Sequence, residues 1–179
     1  VYATIPSFRP LHLDLYRQPG ASAPLPLIVY VHGGGWNHAN PRVGASIVNF
    51  PVVLAHLAER GYVVASIEYR FSGEAPFPAQ VEDLQTALRF LRANAERFGI
   101  DGARVGLWGM SAGAHLAALN AVNCAEGTCV QGFTGWFGAY DIASYTREMR
   151  DDTVVRTLFR CGTTACAAEV LDRASPIRF

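Results

Sequence analysis

Apolar and polar residues alternate over His12-Leu13-Asp14-Leu15-Tyr16, the period-two pattern of a strand with one face buried. After a turn-like stretch at residues 19–26, Leu27-Ile28-Val29-Tyr30-Val31 is an unbroken apolar run. Such a run predicts a strand covered on both faces, and it stops abruptly at His32-Gly33-Gly34-Gly35-Trp36. Residues 50–60 read as a helix, with Pro51 in the first turn and Gly61 as the stop. Residues 62–67 give a second buried strand. From residue 78 to 98, Val81, Leu84, Leu88, Leu91 and Ala95 recur at helical spacing, and Gly99 ends the helix. Val105-Gly106-Leu107-Trp108 predicts a third strand, residues 111–122 a helix, and residues 130–137 a fourth buried strand. Strands and helices alternating at this rhythm predict parallel βαβ units, an α/β fold with a mostly parallel sheet and helices on both faces. No repeat or linker divides residues 1–179, so a single domain is expected. In such sheets ligands bind beyond the carboxyl ends of the strands, where two of these strands run into glycine-rich turns.

Composition narrows the chemistry. Half of the 179 residues are hydrophobic and 17% are charged, which suits one packed soluble core. Fifteen basic residues cancel fifteen acidic ones, so no bulk field attracts nucleic acid or an anionic membrane, and neither is an expected partner. All fifteen basic residues are arginine. Without lysine there is no pyridoxal phosphate Schiff base and no Walker-type phosphate loop, and no cofactor or metal is expected. The chain opens at Val1 with neither Met nor a basic-then-apolar leader, a start that predicts trimming and is compatible with a removed export signal. Cys124 and Cys129 have C-x4-C spacing, repeated by Cys161 and Cys166. Two short disulfide-closed loops are the preferred reading and predict a secreted or periplasmic protein. A four-thiolate zinc site and reduced thiols are the alternatives.

The strongest chemical signal is Gly109-Met110-Ser111-Ala112-Gly113, a G-x-S-x-G between a predicted strand and a predicted helix. A turn tight enough to throw a serine side chain clear of the backbone needs residues without bulk two before and two after it. Ser111 is therefore the candidate nucleophile, the bland alternative being an N-capping serine. A tetrahedral intermediate also needs at least two donors aimed at its oxyanion. Gly34 and Gly35, at the end of the preceding parallel strand, can supply amides beside that of Ala112. Trp36 and His38 are candidate substrate-pocket residues, and Phe77, Trp108 and Phe137 are further aromatics that core packing would equally explain.

Together, the glycine triplet with Trp36 and the segment from Gly109 to Leu116 resemble the α/β-hydrolase fold. More narrowly, they resemble bacterial carboxylesterases of the hormone-sensitive-lipase and feruloyl or acetyl-xylan esterase type. Residues 69–80 with Glu82-Asp83, and residues 172–177, resemble the same group. The resemblance implies a serine carboxylesterase acting on a small-molecule ester with short acyl or aromatic groups, with Ser111 as nucleophile and Gly34, Gly35 and Ala112 as oxyanion hole. The fold's triad runs Ser, then acid, then His, yet the five histidines are His12, His32, His38, His56 and His115, none beyond the helix that Ser111 opens. His115 lies one turn along that helix and reads as structural, His32 as a brace for the glycine loop, and His38 as an unconventional base at best. Asp141 follows the fourth strand as a capping residue or a candidate acid. By the resemblance, residue 179 falls where two further strands would begin, so the last strands are expected to be lacking, with triad acid and histidine outside this chain. A C-terminal fragment or a second copy would complete the sheet. The alternatives are a non-catalytic hydrolase-scaffold module needing a partner, or a peptidase or lactonase of the same fold.

Overall fold

The computed structural model describes residues 1–21, 23–149 and 151–179. Five strands form one sheet in the order β1-β3-β2-β4-β5: β1 (Leu13–Tyr16), β2 (Leu25–Val31), β3 (Val63–Ile67), β4 (Ile100–Met110) and β5 (Gly132–Trp136). Only β1 is antiparallel. The connecting helices are α1 (Phe50–Glu59), α2 (Ala79–Ala93), α3 (Ala95–Phe98) and α4 (Ala112–Val122), followed by the short α5 (Ile142–Glu148), α6 (Thr153–Phe159) and α7 (Ala168–Arg173).

Alternation along the central strands explains the two layers of core. Val29, Val31, Ala65, Ile67 and Leu107 point to the face covered by α2 and α4, where they join Leu84, Leu88 and Leu116. Tyr30, Val64, Trp108 and Met110 point the other way and meet Phe50 and Leu54 of α1. An unbroken apolar run is what a strand with two buried faces requires.

Several boundaries differ from the sequence expectation for local reasons. The turn over residues 19–26 includes position 22, outside the described residues, and ends early because β2 already begins at Leu25. β4 starts five residues before Val105 because Ile100 and Asp101 pair with Leu25 and Pro26, and residues 102–104 bulge out at the register shift. The helix over 78–98 breaks at Asn94, whose side chain donates to the Phe90 carbonyl, and Gly99 at φ +67° ends α3. The fourth strand exists but is not buried. β5 is an edge strand, with Phe133 38% and Trp136 44% exposed, because among the described residues no strand flanks its outer side. Beside it an apolar groove of about 540 Å³ runs along Ile28, Val53, Leu57, Trp108 and Trp136.

Candidate active site

β2 and β4 are neighbours although β3 lies between them in sequence, so the loops leaving them emerge side by side at a topological switch point. Val31 pairs with Gly109 in parallel register, which sets the glycine loop directly against the serine turn. A Cβ built on Gly33 would lie 3.3 Å from Ser111 Cβ. The two motifs, over seventy residues apart in sequence, lie so close that a side chain at position 33 would crowd the serine turn.

Ser111 has φ +51° and ψ −121°, a conformation non-glycine residues hold only when surroundings enforce it. Its amide donates to the Trp136 carbonyl at 2.9 Å, and its side chain does not cap α4, which removes the N-cap explanation. The flanking glycines are sterically required. A Cβ on Gly113 would run into the carbonyl oxygens of Val31 and His32, and one on Gly109 into the backbone of Gly113 and Ala114. The turn thus presents the Ser111 hydroxyl, half-buried, at the amino end of α4, where the helix dipole favours negative charge.

The glycine loop folds on itself. Gly34 (φ +104°) accepts from the amides of Asn37 and His38 at 3.1 and 3.2 Å, and a Cβ there would strike the His38 carbonyl. Among the described residues no acceptor takes the amide hydrogens of Gly34, Gly35 or Ala112.

Two buried histidines fix this loop. His32 Nδ1–H donates to the Gly33 carbonyl at 2.7 Å, its ring stacks on Tyr69 at 4.4 Å, and the Tyr69 hydroxyl donates to the His32 carbonyl at 3.0 Å. The bracing expected of His32 is therefore present. His115 accepts from Trp36 Nε1–H through Nδ1 at 3.1 Å, so its proton sits on Nε2, which donates to the Ala174 carbonyl at 2.7 Å. Burial pushes both imidazoles down to about 4, against the weaker upward pull of their backbone hydrogen bonds, so both rings are neutral near pH 7.

Trp36 is not a pocket residue. It is 1% exposed, edge-on to His115 and Tyr145, because φ +59° turns its side chain into the core where the indole N–H finds a partner. Sequence reasoning missed that partner, which lies 79 positions away. Trp108 is likewise core, Phe77 packs on Phe159, and Phe137 is exposed. His38 is exposed, with Nδ1 against Asn37 Oδ1 at 2.5 Å. Asp141 is the N-cap of α5, accepting from the Ser144 amide and hydroxyl at 3.0 and 2.9 Å, hydrogen bonds that hold its carboxyl below the usual range. Among the described residues no histidine ring hydrogen-bonds Ser111 Oγ. Cys124–Cys129 and Cys161–Cys166 are disulfide-bonded, with S–S separations of 1.99 and 2.07 Å.

The BD-FAE family profile matches residues 13–179. Esterase LipC of Mycobacterium tuberculosis is 33% identical over 141 residues, covering 72% of this chain and 34% of the relative. Carboxylesterase NlhH of the same species is 36% identical over 107 residues, 60% of this chain and 32% of the relative. Among solved structures, a truncated form of carbohydrate esterase from gut microbiota superposes with a TM-score of 0.78 at 28% identity, over 94% of this chain and 66% of that one. The chain spans about a third of the length of these curated relatives.

Proposed function

The chain belongs to the BD-FAE family and has the α/β-hydrolase fold, and from that premise we propose that it carries the nucleophile and oxyanion hole of a serine carboxylesterase acting on short-chain acyl or aromatic esters, acetyl or feruloyl. The observation that carries the reading is the junction of the two glycine turns: Ser111 at φ +51°, packed so close to the glycine loop that a Cβ on Gly33 would crowd it, beside three amides uncommitted among the described residues. In the proposed reaction Ser111 Oγ attacks the ester carbonyl. The amides of Gly34, Gly35 and Ala112 hold the developing oxyanion, the alcohol leaves, and water hydrolyses the acyl-serine.

A hydroxyl needs a base to take its proton. In this reading that base and its orienting acid lie outside residues 1–179, which is supported by His115, both of whose nitrogens are committed, and by His32, which is turned onto Gly33. The partner is a C-terminal fragment or a second copy pairing with the β5 edge, a reading supported by exposed Trp136 and the apolar groove beside it. The disulfides favour a secreted or periplasmic setting. The carbohydrate esterase likeness favours a sugar on the alcohol side.

The test uses p-nitrophenyl acetate and a fluorophosphonate probe. The completed enzyme turns over the ester and labels at Ser111, and Ser111→Ala abolishes both. Unchanged turnover in that variant sinks the assignment, and absence of labelling with the sheet completed favours a non-catalytic scaffold.

A further inference from the structure

A cavity of about 460 Å³ lies between the start of the loop after β3 and the outer face of α6, in the size range of small-ligand sites, roughly 300–1,000 Å³. Ser72 forms one wall, Thr153, Arg156, Thr157 and Arg160 the other, and Thr163 closes the end. The four positions on and just beyond α6 recur at i, i+3, i+4 and i+7 and so share one face, while Val155 and Leu158 turn into the core. The loop carrying Thr163 is held by the Cys161–Cys166 disulfide. The cavity adjoins the glycine turn: the Ser72 amide donates to the Trp36 carbonyl at 2.7 Å, and a Cβ on Gly35 would lie 3.4 Å from Val154 Cγ1.

Two features mark it as built for a ligand. Ser72 is fully buried, yet its hydroxyl has no hydrogen-bond partner among the described residues, a state that buried hydroxyls rarely keep. The cationic wall is also only half compensated. Asp152 Oδ1 lies 2.9 Å from Arg156 Nε, too bent to be a hydrogen bond but close enough to neutralise it. Asp151 takes the Thr153 amide and hydroxyl at the far end of α6, ~13 Å along the helix from Arg160 at 1.5 Å per residue. Arg160 has no carboxylate within ion-pair distance among the described residues. The cavity therefore faces a ligand with one net positive charge.

We propose that it is a subsite for a monoanionic sugar, a uronic acid residue. The Arg160 guanidinium takes the carboxylate in a forked pair. Ser72, Thr157 and Thr163 meet ring hydroxyls, and the threonine methyls and arginine stems face the ring C–H groups. A single net charge matches a carboxylate better than a phosphate, which carries nearly two. The subsite's use in catalysis rests on the esterase reading, with the uronic acid on the alcohol side of the ester at Ser111, whereas binding itself rests on the cavity alone.

The experiment is a calorimetric titration of the intact chain with glucuronate, glucose and inorganic phosphate. Glucuronate binds, glucose binds about tenfold more weakly for want of the charge-assisted pair, and Arg160→Ala loses a similar factor. Ser72→Ala weakens glucuronate a few-fold at unchanged Tm, and Ser111→Ala leaves its binding intact. Failure of glucuronate to bind, equal affinity for glucose, indifference to Arg160→Ala, or phosphate binding as tightly as glucuronate overturns the subsite. Glucuronate binding by a protein inert to p-nitrophenyl acetate and to fluorophosphonate in its completed form removes the esterase reading and leaves the subsite standing.

Discussion

Acid should unfold this protein through two histidines. His32 and His115 are buried, and burial lowers both from an ordinary 6.5 to about 4. A ring that stays neutral in the folded state and charges in the unfolded chain makes the unfolded state bind more protons between these values. Stability is therefore fully present above about pH 6.5 and falls as pH drops toward about 4. Each ring loses about 1.4 kcal/mol at about pH 5.5 and about 2.5 kcal/mol at about pH 4.5, so the pair loses about 5 kcal/mol by then. That is a large share of the ~5–15 kcal/mol of an ordinary domain. Asp101, Asp141 and Asp151, held low by hydrogen bonds from Arg104, Ser144 and Thr153, act in a lower window, since their contribution is lost only as pH falls below the ordinary carboxylate value near 4. Urea denaturation across this range measures the slope. His115→Gln keeps a donor for the Ala174 carbonyl but cannot titrate, so its loss between neutral pH and about 4.5 should be roughly half that of the native chain. A denaturation free energy that is flat over the range refutes the assignment of neutral, desolvated rings.

Two further outcomes test the frame around the site. Asp83, 3% exposed, takes the Arg70 amide and two guanidinium nitrogens at 2.8–3.1 Å. Asp83→Asn leaves that guanidinium with the Ala79 carbonyl and, as its one carboxylate among the described residues, the exposed Glu82 at 3.7 Å, and should cost about 3 kcal/mol in urea denaturation. A change under about 1 kcal/mol would mean that the pair does not anchor the loop after β3. Sedimentation at rising concentration should show self-association of the isolated chain through the β5 edge. Trp136→Glu, which places a charge on that edge, should keep it monomeric, and identical sedimentation of the two proteins excludes the edge as the contact.

What the sequence revealed depends on where each residue's partners lie. β2, β3 and β4 were legible because strands buried on both faces carry unbroken apolar runs, and the serine turn because its glycines answer a purely local steric demand. The two disulfides were legible because a separation of five positions brings the Cα atoms to 5.0 and 5.1 Å. Trp36 was misread because its side-chain direction depends on a left-handed backbone and on His115, neither visible in the local pattern. β5 was misread as buried because burial of an apolar strand needs a cover that the local sequence does not specify. The cavity beside α6 had no local signal, since its residues come from two segments some eighty positions apart.

The division of labour within the site follows from the same distinction. In the proposed site the oxyanion donors are backbone amides, in turns where Gly33, Gly109 and Gly113 pack against neighbouring backbone. A general base is a side chain on a loop, which only a neighbouring element can place. In the proposed reading each oxyanion amide would contribute a factor of roughly 10²–10³, and a positioned general base a further ~10²–10⁴. Ser111 accepts its position from β5, through the Trp136 carbonyl, and β5 is the open edge. An element pairing there, about 4.8 Å farther out per strand, ends at the same side of the sheet as the serine turn. On that reading the exposed β5 edge and the need for a base are one requirement: an element that covers Trp136 is also placed to deliver the base.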